Sequence, residues 1–156
     1  MAEIRLETRI AAPVERCFDL ARSVELHVAS TAGTREAAVG GVTSGLLGLG
    51  DEVTWEARHL AARRRLTVRI DAFDRPRHFR DTMVRGPFAR FEHDHFFAAG
   101  SATTMTDVLR FASPLSPVGR LGDRFVLRAH LMRLVARRNE AIRAAAEGEA
   151  WRTYLR

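Results

Sequence analysis

The sequence predicts an α+β domain: a curved antiparallel sheet of about seven strands wrapped round one long C-terminal helix. Three observations predict it. Residues 3–10 alternate charged and apolar side chains with period two. Five strand-length segments then follow one another between residues 51 and 112 through short turns. From residue 118 to about 145 the apolar period becomes helical.

Each element has its own signal. Ile4, Leu6, Thr8 and Ile10 share one face of the first strand, and Glu3, Arg5, Glu7 and Arg9 share the other, as in a half-buried strand. Pro13 opens a first helix, where its missing N–H costs little. Val14, Cys17, Phe18 and Ala21 follow at helical spacing, and Cys17 reads as inert packing. Ser23 caps a second short helix that runs to about Ser30. Residues 33–50 are rich in glycine, with one short strand near 34–40 and a flexible loop bearing Leu46, Leu47 and Leu49 at a cavity entrance. That loop does not join a strand to a following helix, so its glycines are no phosphate cradle. Ser44 does not fit a nucleophile elbow.

The remaining strands are 51–60, 64–74, 77–85, 88–98 and 103–112, and Pro114 and Pro117 end the last. In the final helix, Leu121, Phe125, Ala129, Met132 and Ala136 form one stripe with Ile142 near its end, and Leu127, Leu131 and Leu134 broaden it. The order is β-α-α-β-β-β-β-β-β-α. A meander with one apolar face needs a cover, and the final helix is the one element large enough. The space between them is a natural ligand pocket. Residues 1–148 form this domain, Gly148 stops the helix, and 149–156 is a tail that frays or docks through Trp151 and Tyr154.

Composition limits the alternatives. The 156 residues are 46% hydrophobic and 28% charged, enough for a core and ordinary for a soluble chain. No apolar stretch approaches a membrane span. The N-terminus lacks the pattern of a signal peptide. The single cysteine excludes an internal disulfide, so a cytoplasmic location is expected. All 25 basic residues are arginines, and they are interleaved with acids along the whole chain. The net charge of +6 therefore reads as a solvated surface, and nucleic acid is not an expected partner.

The stretches Ile10 to Phe18, Phe73 to Pro76 and Phe111 to Leu121 together resemble the SRPBCC superfamily, also called START-like or Bet v 1-like, which includes polyketide cyclase/dehydrase-type proteins. Ile10-Ala11-Ala12-Pro13-Val14-Glu15-Arg16-Cys17-Phe18 is similar to the family's passage from first strand to first helix. Phe73-Asp74-Arg75-Pro76 is similar to the turn after its fourth strand. The run from Phe111 through Pro114 and Pro117 to Leu121 is similar to the junction before the long helix in a bacterial branch of undefined function. The resemblance implies the helix-grip fold and the holding of an apolar or amphipathic small molecule. Some members catalyse cyclisation or dehydration, but no shared catalytic signature can be carried over. It implies no metal and no cofactor.

Strand alternation nominates the concave face. Val53, Trp55, Ala57 and His59 point inward, as do Leu66, Val68 and Ile70, then Phe79, Asp81 and Met83. Phe91, His93, His95 and Phe97 follow, with Met105, Asp107, Leu109 and Phe111. Tight turns set Asp107 opposite His93 or His95, and Asp81 near Phe91 or His93. Three readings of this cluster compete: a satisfied buried network, groups that orient a ligand, and catalysis with His93 or His95 as a general base fixed by Asp107. Two histidines at i and i+2 could also share a metal, given Asp81 or Asp107 as a third ligand. No metal is expected.

The ligand-binding set is accordingly Trp55, Asp81, Met83, Phe91, His93, His95, Met105, Asp107, Phe125 and Met132. His27 and His130 could line the cavity from helices. The expected partner is a small hydrophobic or amphipathic molecule of lipid, sterol or polyketide type, and a homodimer stays open. Binding without catalysis is preferred. A cyclase or dehydratase is the alternative, and an interaction or membrane-peripheral module a further one.

Overall fold

The computed structural model describes residues 1–59, 61–113 and 120–156. Pro114 and Pro117 lie outside them, as do the side chains of His59 and Leu121. The strands are β1 (Ala2–Ile10), β2 (Ala37–Gly41), β3 (Glu52–His59), β4 (Ala62–Asp74), β5 (His78–Arg85), β6 (Arg90–Ala98) and β7 (Thr103–Ala112). The helices are α1 (Val14–Ala21), α2 (Val24–Ser30), α3 (Arg120–Glu147) and the single turn α4 (Trp151–Tyr154). A 3-10 turn at Ala32–Thr34 stands where the sequence suggests the start of the short strand.

All seven strands form one antiparallel sheet in the order β1-β7-β6-β5-β4-β3-β2. β2 to β7 are a meander. β1 pairs with β7, Ala2 opposite Phe111, so β1 and β2 are the two edges. α1 and α2 carry the chain from one edge to the other. Bulges interrupt the register at Val84 of β5, opposite Thr67/Val68, at Ile70/Ala72 in β4 and at Ala38/Gly40 in β2. An extra residue on one strand bends it and increases its twist, which curves the sheet.

The helices cap as their sequences suggest. Ser23 Oγ accepts the Leu26 N–H at 3.2 Å at the start of α2. Pro13 precedes α1, whose Cys17 and Phe18 are fully buried. Phe18 meets Phe73, Phe79 and Phe97 edge-on at 5.3–5.4 Å between ring centroids, tying α1 to the sheet. The tail docks: Trp151 lies under the Arg16 guanidinium at 4.2 Å, and Arg16 also donates to the Ala146 carbonyl at 2.9 Å.

The long helix is rotated by roughly a third of a turn from the stripe the sequence suggests. Phe125 is 70% exposed and Ala136 is exposed. The buried face carries Val135, Arg138, Asn139, Ile142, Ala145 and Ala146, with Leu127, Leu131 and Leu134 packed along it. Two polar residues sit in its middle, so a count of apolar positions centres the stripe too far towards Phe125 and Ala136, although Leu127, Leu131, Leu134 and Ile142 fall on the inner face as expected. α3 packs against β1, α1 and α2. The middle strands stand away from it, and that gap is the cavity.

Candidate ligand cavity and its histidine–carboxylate network

The cavity has a volume of about 620 Å³. Its walls are mostly apolar: Leu66, Val68 and Ile70 from β4, Phe79 from β5, Phe91 from β6, and Leu127, Leu131, Leu134 and Val135 from α3. Phe88, in the turn before β6, joins them and packs on Phe91 at 5.1 Å. Polar groups enter in two sets. Asp81, His93, His95 and Arg138 form one, and Arg22, Ser23, His27, Thr31 and Glu36 belong to the other. His27 bonds Glu36 Oε1 at 2.8 Å and stacks on Trp55 at 4.0 Å.

Strand register builds the first set. His93 and His95 lie two apart on β6 and so share a face. Across β7, His95 stands opposite Asp107, and across β5, His93 stands opposite Asp81. The hydrogen bonds do not all follow these pairs. Asp107 Oδ1 accepts from Nε2 of His93 and from Nδ1 of His95, each at 2.8 Å. Nε2 of His95 reaches diagonally to Asp81 Oδ2, also at 2.8 Å. From α3, Asn139 donates to Asp107 Oδ2 at 2.6 Å, and Arg138 approaches Oδ1 at 3.4 Å while donating to the Ala21 carbonyl at 2.9 Å. Asp107 is therefore enclosed by donors from β6 and α3, and it is 1% exposed.

These contacts fix the protonation pattern. An ionised carboxylate only accepts hydrogen bonds. His95 faces one from each ring nitrogen and so carries a proton on both. Burial and then the Arg138 charge push its pKa down, but the hydrogen bonds to Asp107 and Asp81 outweigh them and raise it. Burial pushes the Asp107 carboxyl up, yet bonds from His93 and His95 hold it well below the usual carboxylate range. Asp81 is likewise lowered: burial opposes, and the bond from His95 wins. His93 is the opposite of its neighbour. Burial and the His95 charge lower its pKa despite the bond to Asp107. That direction favours the neutral ring, and the bond to the Asp107 carboxylate then places its hydrogen on Nε2 and a lone pair on Nδ1.

On the outer face of the sheet, Asp94 makes a separate pair of contacts, to His78 at 2.7 Å and Arg110 at 2.9 Å. Asp94 thus points away from the cavity set, as alternation requires.

Of the residues nominated from sequence, Trp55, Asp81, Phe91, His93 and His95 line the cavity, as do His27 and His130. Five do not. Asp107 lies behind the two imidazoles it holds. Met105 is fully buried in the core opposite Thr8 of β1. Met83 packs near Gly86, outside the lining. Phe125 faces solvent, and Met132 lies half-buried on the flank of α3, both because of the helix rotation. Arg138 and Asn139 escape the sequence reading. Their signal is helical spacing, since they stand four residues beyond Leu134 and Val135.

The glycine-rich loop is tied down. Leu47 N–H donates to the Arg22 carbonyl and Gly45 N–H to Glu25, each within 3.0 Å, and Leu47 is buried against the cavity. Burial raises the Cys17 thiol pKa, in keeping with packing.

No protein-family model matches the chain, and neither does any of the curated proteins. Solved structures do match. A Zhui aromatase/cyclase from Streptomyces sp. R1128 superposes with a TM-score of 0.74 at 15% identity, over 94% of this chain and 93% of that one. The protein TTHA0849 from Thermus thermophilus gives 0.72 at 21% identity, over 93% and 99%. The major latex-like protein 151 of Panax ginseng gives 0.67 at 12% identity, over 94% and 98%.

The fold is the helix-grip fold. The sequence resemblance implies this same architecture. In this helix-grip chain the grip is loose along β3 to β6, where the cavity lies. No described helix is long and apolar enough to cross a membrane.

Proposed function

We propose that the protein binds a small amphipathic molecule between the sheet and α3. The observation that carries this reading is the cavity itself: about 620 Å³ walled mainly by aliphatic and aromatic side chains, with polar groups that include the Asp81, His93, His95 and Arg138 set. Pockets of roughly 300–1,000 Å³ with that balance suit drug-sized ligands. The apolar body would pack on Leu66, Phe91 and Leu131, and an oxygen of the ligand would meet His93 and Arg138. Displacement of a fluorescent hydrophobic probe, with native mass spectrometry of freshly purified protein, tests this. Retained lipid-like or aromatic mass and saturable probe binding are expected. An empty protein with no affinity for any apolar probe would overturn the reading.

A specific observation favours a second reading, a cyclase or dehydratase. Burial favours the neutral form of His93, and Asp107 holds its Nε2, which leaves the Nδ1 lone pair as the proton acceptor. A histidine so oriented can remove a proton beside a carbonyl. The fold likeness to an aromatase/cyclase supports this reading by analogy. His93→Gln should then abolish turnover of a poly-β-keto substrate while probe binding persists. Equal turnover by the variant would remove it.

A further inference from the structure

Asp81, His93 and His95 each present one ligand atom, and those atoms lie within 4.8 Å of one another. They border an open cavity rather than a packed core. We propose that they form a site for one divalent transition-metal ion, held by Nδ1 of His93, Nε2 of His95 and a carboxylate oxygen of Asp81, with its remaining positions open to the cavity.

The strongest support is what surrounds the three residues. Histidines that bind metals donate their other ring N–H to a carboxylate or carbonyl, which fixes the tautomer and aims the ligating nitrogen. Asp107 does this for both rings at once, through one oxygen, at 2.8 Å from each. Its second oxygen is held by Asn139 at 2.6 Å. A carboxylate that is 1% exposed and filled with donors is no ligand; it is the brace for two. The nitrogens it leaves over are Nδ1 of His93 and Nε2 of His95.

The donor set then selects the ion. Two imidazoles and one carboxylate suit zinc or iron(II) rather than magnesium or calcium. Three protein ligands with open positions are the pattern of a catalytic site rather than a structural one. Metal–ligand bonds of about 2.0–2.1 Å in a tetrahedron separate ligand atoms by roughly 3.3 Å, so the three groups must draw together. Asp81 is the group able to move, because its side chain is 18% exposed whereas that of His95 is 2% exposed. Without metal, the His95 proton bridges to Asp81 at 2.8 Å, and the ion takes that proton's place.

Cobalt(II) and zinc(II) alone are the probes, so the outcome does not depend on any organic ligand. Untagged protein is stripped with a chelator, titrated with cobalt(II) and followed by its visible d–d bands; zinc(II) is then used to compete. One ion per chain is expected, with bands of a four- or five-coordinate site. Asp81→Asn and His93→Asn should each weaken binding at least tenfold, and His78→Asn, on the outer face, less than twofold. Circular dichroism checks that each variant is folded. Folded wild-type protein that binds no cobalt(II) stoichiometrically overturns the proposal by itself. Equal binding by all variants overturns it too, since the ion then sits elsewhere.

Discussion

Asp107 and His95 stand in register across β6 and β7 and are joined at 2.8 Å with both side chains almost wholly out of solvent. Removing the carboxylate leaves two imidazoles and the Asn139 amide without this acceptor and Arg138 without its nearest anion. Breaking a buried charge pair from one side costs about 3–5 kcal/mol. Asp107→Ala should lose that much in denaturant unfolding, and Asp107→Asn somewhat less, because it keeps one acceptor. A loss under about 1 kcal/mol would mean that the network contributes little to holding the fold.

The two histidines should titrate in opposite directions. His95 is raised, so its contribution to stability is complete below its unfolded pKa of about 6.5 and fades as pH rises through the folded value. Asp107 is lowered, so its contribution is complete above about 3.9 and fades as pH falls through the folded value. His93 is lowered, so it opposes folding at low pH, and that penalty fades as pH rises from the folded value to about 6.5 and is gone above it. Nitrogen-15 shifts of the rings should show His95 charged at a pH where His93 is neutral. His95→Asn should flatten the alkaline decline in unfolding free energy; an unchanged decline would assign it to other groups.

Filling the cavity separates binding from folding. Leu131 faces the cavity from α3, so Leu131→Trp puts an indole into the space a ligand would occupy. Probe affinity should fall at least tenfold while thermal unfolding changes little. Unchanged affinity would put the bound probe elsewhere on the molecule.

The rotation of α3 is tested by a contrast along one helix. Phe125→Ser, at an exposed position, should stay within about 0.5 kcal/mol of the wild type. Ile142→Ala, at a position 1% exposed, should cost about 2–5 kcal/mol. Similar losses at both positions would mean that Phe125 is covered in solution.

Phe18 carries the join between α1 and the sheet through three edge-on aromatic contacts. Phe18→Ala should cost about 3–5 kcal/mol in the same assay. A value near zero would show that the cluster repacks around the gap.

Period two makes the sheet legible. Once Ile4, Trp55, Val68 and His95 are assigned to one face, the concave surface follows, and a tight turn near Gly100 narrows the residue opposite Asp107 to His93 or His95, of which the structure has His95. The helix is less legible because its phase depends on polar residues. Arg138 and Asn139 face inward and donate to Asp107 and the Ala21 carbonyl, acceptors that belong to distant parts of the chain. The partner of Asp81 is hidden for a related reason. Its opposite residue is His93, yet its bond runs diagonally to His95, and a register alone does not distinguish the two.

The edge-to-edge order of the sheet has a kinetic consequence. β1 is made before the six other described strands and its neighbour β7 after them all, and Ala2 must find Phe111. Contacts so remote in sequence slow folding, because loop-closure entropy is lost before they form. A nascent chain that ends before Thr103 offers its amphipathic leading strand no neighbour at all, which makes that segment a natural target for chaperones during synthesis.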